Sequence, residues 1–312
     1  MSEEMGSARP VEGAYPRILE YVGEHPVDRA HITYYTYGVE GVTVQPVEAV
    51  SPEGLEADRV HWVNVTGLSD VPAILRVSAL VGLHPLAVED ILNSSQHPKM
   101  EDTSEYLYLV LKAPDLQEDT RHVTLEQVAV VLGRNIVLSF QERSPDLFQP
   151  LIERLTRNHI PLREAKADFL AYALVDTIVD QYFDVLEAAG ERLEEVEDLV
   201  LAGRSAEENI QVIHALRREL IVLRRSVWPL REVLSALLRD GSPLIREGTM
   251  MYLRDVYDHT IQVMDTLETY RETLSSLFDI HLSSISNRMN QIMKVLTLAA
   301  TVRVVPAGTP LV

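Results

Sequence analysis

"TMMYLRDVYDHTIQVMDTLETYRETLSSLFDIHLSSISNRMNQIMKVLTLAATVRVV", from Thr249 to Val305, contains neither glycine nor proline. At 1.5 Å per residue an unbroken helix over this stretch is about 85 Å long, more than a globular domain of this size needs. Its later part places Phe278, Leu282, Ile285, Met289, Ile292, Leu296 and Ala299 at alternating spacings of three and four. That seam suits association of helices about a common axis, because a rod this long outruns any domain on which the stripe could pack. From Met289 the stretch turns apolar, like the start of a membrane span, and then meets Arg303, Pro306, Gly308 and Pro310. A span requires about 20 apolar residues, and the tail offers roughly half of that before Arg303.

Upstream, Ile178, Tyr182, Val185, Ala189, Leu193, Val196 and Val200 recur every three or four residues, the buried face of another long helix that Gly203 breaks. A further helix is expected from about Ser205 to Leu238, bent at Pro229, with Gly241 and Pro243 interrupting the chain after it. Before residue 150 the texture differs. "VHWVNVTG" (Val60–Gly67) and "YLYLVLKAP" (Tyr106–Pro114) are β-rich runs bounded by turn residues. "EQVAVVLGRNIVLSFQE" joins two apolar runs across Gly133, Arg134 and Asn135, a hairpin signal. Between these, "DVPAILRVSALVGLHPLAVEDILN" has helical spacing, with Pro85 placed to open a second helix. The expected class is α+β: a mixed β-sheet sandwiched by helices, then long antiparallel helices, then a very long stalk helix. The segments expected are an N-terminal α/β domain over 1–150, an acidic helical hairpin packed on it over 151–243, and the stalk over 244–312.

The chain has 312 residues, 46% of them hydrophobic, no cysteine and a formal net charge of −19. The missing cysteine excludes disulfides, thiolate zinc sites and cysteine nucleophiles. The acidic balance and the lack of a Lys/Arg-rich run argue against nucleic acid as a partner and suit cations. The first residues carry no basic region followed by an apolar core, so no secretory signal is read there. No phosphate loop, dinucleotide fingerprint, zinc-protease helix, serine elbow or calcium loop is found, so nothing supports an enzyme.

The helix after Asp176 carries Asp180, Asp184, Glu187, Glu191, Glu194, Glu195, Glu197 and Asp198 against Arg192. By default this stripe is a solvated face; functionally it is a field that concentrates cations. "HPLAVEDILN" puts Glu89 and Asp90 side by side on a short helix, diverging by about 100°, so the two do not readily chelate one ion by themselves. "YLRDVYDHTIQ" holds Asp255 and His259 four apart on one helix face, near Asp258. Each group alone reads as caps and salt bridges, and a metal site requires two such groups to meet.

Together with "VDTIVDQYF", "WPLREVLSALLRD", "LIREGTMMYLRDVYDHTIQ" and "LSSISNRMNQIMKVLT", these stretches resemble the CorA family of divalent-cation channels, from about Val60 to Thr301. The resemblance implies the cytoplasmic, Mg2+-sensing and stalk part of a homopentameric Mg2+ and Co2+ channel of the inner membrane, with this portion cytoplasmic. It implies that Asp90 of one subunit and Asp255 of its neighbour hold a regulatory Mg2+, with Glu89, Asp176 and His259 around a second ion. It places Asn290, Met293, Leu296 and Thr297 along the inner pore. The family's Gly-Met-Asn entrance loop and second span are not in the sequence, so the chain reads as cut inside its first membrane helix and soluble. The rival readings are a ZntB-like zinc transporter with the same fold and a soluble coiled-coil interaction protein.

Overall fold

The computed structural model describes residues 19–23, 25–46, 55–56, 58–117, 122–143, 145–157, 164–202 and 206–304. Seven strands form one mixed sheet: β1 (His31–Gly38), β2 (Gly41–Pro46), β3 (Val60–Thr66), β4 (Lys99–Asp102), β5 (Leu107–Leu116), β6 (Val123–Leu132) and β7 (Ile136–Gln141). Their order is β2-β1-β3-β7-β6-β5-β4. All neighbours are antiparallel except β3 and β7, which run parallel with Val63 opposite Leu138. The expected hairpin across Gly133 is β6–β7, closed by the Gly133 N–H donating to Ile136 O at 2.8 Å.

The central strands are apolar on both faces because both faces are covered. Period-two alternation sorts their side chains between two layers. Trp62, Leu109, Leu111, Val130 and Val137 face one layer; Val63, Val65, Val110, Val131 and Leu138 face the other. On the second layer lie α1 (Val71–Ser78) and α2 (Pro85–Leu92), which bury Ile74, Val77, Val88 and Ile91. Pro85 opens α2 as its position in the sequence implied, and the His84 ring caps the helix by accepting from Leu86 N at 3.3 Å.

The first layer belongs to the helices. After α3 (Gln149–Thr156) come α4 (Ala167–Leu201), α5 (Ala206–Asp240) and α6 (Glu247–Val304). The face expected on α4 is buried at all its positions, from Ile178 to Val200. The break expected at Gly203 lies outside the described residues. α5 runs through Pro229 as one element, and Gly241 ends it with φ 68° and its N–H donating to Leu237 O at 2.9 Å, the left-handed closure glycine permits. α6 is longer than any other element, 58 residues and about 87 Å.

α4 and α6 start side by side and run in the same direction. The Asp168 carboxylate, on the first turn of α4 and 3% exposed, accepts from Arg246 N and Nε at 3.1 Å and from Thr249 Oγ1 at 2.6 Å. Further along, the Tyr270 hydroxyl of α6 reaches over Gly190 of α4, 2.5 Å from where a Cβ would stand. Burial disfavours the Asp168 charge, but the bonds from Arg246 and Thr249 outweigh it and hold its pKa below the ordinary 3.8. A depressed carboxylate contributes stability that is complete above its ordinary pKa and lost as pH falls through the folded value. We expect Asp168→Asn to lose about 2–3 kcal/mol at neutral pH, since it strands a guanidinium and a hydroxyl. In denaturant titrations the gap to wild type should close below pH 3.8; a gap that widened in acid would rule this out.

Candidate metal sites

The register of α4 against α6 brings three donors together. Asp176 and Asp180, one turn apart on α4, and His259 on α6 each offer a ligand atom within 4.8 Å of the others. Asp176 is half-buried and accepts from Tyr172 Oη at 3.2 Å; Asp180 is exposed. The His259 ring meets Phe183 edge-on at 5.7 Å, and its buried Nδ1 has no hydrogen-bond partner. Its Nε2 lies 3.9 Å from Asp255 Oδ2, a side chain 69% exposed.

The electrostatics fit a cation. Burial and the charge of Asp180 push the Asp176 pKa up, against the opposing effects of Tyr172 and His259. Asp180 is raised too, by burial first and by Asp184, with His259 opposing. Two carboxylates at about 4 Å repel by about 4 kcal/mol at an effective dielectric of 20; a dication between them reverses the sign. One imidazole with two carboxylates is a borderline donor set, better suited to Co2+ or Zn2+ than to Mg2+, which prefers oxygen and water. Of the residues singled out in the sequence, Asp176, His259 and Asp255 therefore gather at one place. Asp180 joins them, although in the sequence it reads only as part of the acidic stripe; its i,i+4 spacing from Asp176 is the available signal.

Glu89 and Asp90 lie elsewhere, in the second turn of α2 on the opposite layer of the sheet. Asp90 is ion-paired with Lys99 of β4, which also reaches Glu101 at 3.3 Å. Burial works against the Lys99 charge, but the bond and charge of Asp90 and Glu101 leave its pKa raised. The Asp90 backbone carbonyl accepts from Gln127 Nε2 at 2.9 Å, which ties α2 to β6. The Lys99 partner was not read from the sequence, because β4 carries no strong strand signal there. Within one chain the sheet separates Asp90 from the layer that holds Asp255.

Asn290, Met293, Leu296 and Thr297 lie on the last turns of α6 within about 120° of its circumference, all exposed. Along the seam, Phe278 packs against His214 of α5 at 5.8 Å. Leu282, Met289, Ile292 and Leu296 are 46–61% exposed; the Ala299 side chain lies outside the described residues. Among the described residues no helix is long and apolar enough to cross a membrane.

The three-donor cluster should bind Co2+ more tightly than Mg2+. His259→Ala should weaken Co2+ by about tenfold and leave the Mg2+ response of the chain nearly unchanged, as expected when a nitrogen donor is lost. Calorimetric titration decides this; equal losses for both ions would remove the imidazole from the donor set.

Comparison with known proteins places these features in a family. The model of the CorA-like Mg2+ transporter proteins matches residues 57–308. The cobalt/magnesium transport protein CorA of Thermotoga maritima is 42% identical over 305 residues, covering 97% of this chain and 86% of the relative. The CorA of Methanocaldococcus jannaschii is 28% identical over 277 residues, with 88% of this chain and 85% of the relative covered. The complete structure of a CorA magnesium transporter from the same organism superposes with a TM-score of 0.73 at 26% identity, covering 86% of this chain and 82% of that one.

Proposed function

The chain belongs to the CorA-like Mg2+ transporter family, and from that premise we propose that it is the Mg2+-sensing and stalk part of a homopentameric inner-membrane channel for Mg2+ and Co2+. The observation that carries the reading is the separation of two donor groups by the sheet of one chain. Asp90 and Asp255 cannot share an ion within a protomer: Asp255 is 69% exposed, and Asp90, 15% exposed, is held by Lys99 at the rim of its layer. A neighbouring copy supplies the missing half. Mg2+ binds few protein carboxylates and keeps its waters, so one oxygen from each side of a boundary suffices.

In this mechanism Mg2+ clamps adjacent protomers. Without the ion, Asp90 rests on Lys99, and Asp255 adds to the repulsion around Asp176 and Asp180. With it, the carboxylates of two copies are drawn together and the exposed seam of α6 is held closed around the axis. Asn290, Met293, Leu296 and Thr297 then line the narrow end, with Leu296 as an apolar constriction. Asp176 and His259 of one copy, with Glu89 of its neighbour, hold the second ion, and the nitrogen donor supports Co2+ there. A zinc-selective transporter of the same fold would use these donors as well; a larger Zn2+ than Mg2+ effect on assembly would favour it.

At about ten times its Kd, an ion bound only to the native state adds about 1.4 kcal/mol per site. Melting temperature and sedimentation coefficient should therefore rise with millimolar Mg2+. Asp90→Lys or Asp255→Lys should abolish most of that rise, because an ammonium replaces the ion. Glu197→Lys, on the exposed acidic stripe, should leave it intact. Full responses in all three variants would overturn the proposal, and equal losses would indicate charge screening instead.

A further inference from the structure

The chain carries a net charge of −19, yet α5 presents Arg217, Arg218, Arg224, Arg225, Arg231 and Arg239. Arg217, Arg224 and Arg225 converge with Arg271 of α6 on a groove between the two helices. No carboxylate among the described residues pairs with Arg217, Arg224 or Arg225, although the chain holds 47 Asp and Glu. Among the described residues Arg271 is ion-paired with Glu268 alone, one turn before it on the same helix. The floor is apolar, formed by Leu220, Ile221, Pro229 and Leu267, with the Trp228 ring 46% exposed at its end. Arg224 lies 5.8 Å and Arg231 5.5 Å from the centre of that ring.

Like charges in one groove repel, so an unpaired set of guanidinium groups is held at a cost that an anion would offset. The aromatic ring restrains one of them, Arg224, by cation–π attraction, which lowers the entropy lost on binding. Guanidinium forks match phosphate oxygens in pairs. The groove encloses about 540 Å3, inside the range of about 300–1,000 Å3 typical of small-molecule sites. An apolar floor with a cationic rim calls for a ligand with a flat apolar body and several negative charges. We propose that this groove binds a nucleoside polyphosphate, its base on the Ile221–Leu267 floor and its phosphates along Arg217, Arg224, Arg225 and Arg271. The site lies outside the donor groups assigned to metal and stands independently of them.

The chain's two tryptophans make the test direct, because Trp62 is fully buried and Trp228 is not. The full chain is titrated at low salt, without divalent ions, with ATP, inorganic tripolyphosphate or adenosine while tryptophan emission is followed. ATP should quench saturably, tripolyphosphate should bind several-fold more weakly, and adenosine should give no saturable signal. Arg224→Glu combined with Arg225→Glu changes two exposed side chains and should raise the ATP Kd by at least about tenfold, the loss of one charge-assisted bond. Arg134→Glu, an exposed arginine in a different groove, should leave it unchanged. Trp228→Phe should remove the quench while calorimetry still detects ATP. An unchanged Kd in the double Glu variant overturns the proposal. So does tripolyphosphate binding as tightly as ATP, since the floor would then do nothing. Capture by anionic phosphatidylglycerol vesicles through the same arginines, with no response to ATP, assigns the groove to a membrane surface instead and overturns it too.

Discussion

The buried carboxylate of Asp168 sets the geometry of the helical half. It joins the first turn of α4 to the first turn of α6 through Arg246 and Thr249. Two helices tied at their starts and rising equally per residue keep a constant offset. The offset between partners is 81 for Asp168 and Thr249 and 80 for Gly190 and Tyr270. Asp176 and Asp180 must then lie near residues 257–261, and of the donors at that level His259 is the one that meets both. A slip of one residue would rotate His259 by about 100° and move it away from both carboxylates. The meeting of these three donors thus follows from the same register as an ion pair about three turns away.

The sheet imposes the second constraint. With both faces apolar and covered, it forces α1 and α2 onto one layer and α4 to α6 onto the other. Acidic groups carried by the two sets of helices cannot meet inside one protomer. Each is left half-satisfied: Asp90 by the ammonium of Lys99, and Asp176 by one phenol and an imidazole within a repulsive acidic neighbourhood. Arrangements of this kind hold electrostatic energy that an added cation would release.

The parts of this fold legible in the sequence are those carried by local period. The long helices showed as stripes at three- and four-residue spacing, and the β6–β7 hairpin as two apolar runs around a glycine. The β1–β2 hairpin escaped notice, although "HITYYTYG" and "GVTVQP" flank the two-residue turn Val39–Glu40; its β-rich tyrosine and threonine run was the available signal. β4 pairs through Lys99–Asp102, mostly polar residues with no apolar alternation. Asp168 looked like any acidic residue in a helix's first turn. Its importance arises from a partner 78 residues away, which no local pattern records. Asp90 and Asp255 were named through resemblance, and the structure adds what resemblance did not supply: Lys99 already occupies one of them.

α6 changes its environment without changing its conformation. Leu253, Val256, Val263, Leu267, Leu274 and Leu277 are buried against α4 and α5. From Leu282 to Leu298 the same unbroken helix exposes Leu282, Met289, Ile292, Leu296 and Leu298. The first half is fixed by packing against α4 and α5, and the second half presents these apolar side chains to the outside. An unbroken helix bends only gently without proline, glycine or an inserted group, and none of these interrupts α6 beyond Gly248. A small tilt at the level of His259 is then delivered almost undiminished about 55 Å away, at Leu296. The 37 residue steps from 259 to 296 act as a lever whose fulcrum is the Asp168 contact. A tilt at the level of the donor cluster therefore needs no relay of side chains to reach the far end of the helix.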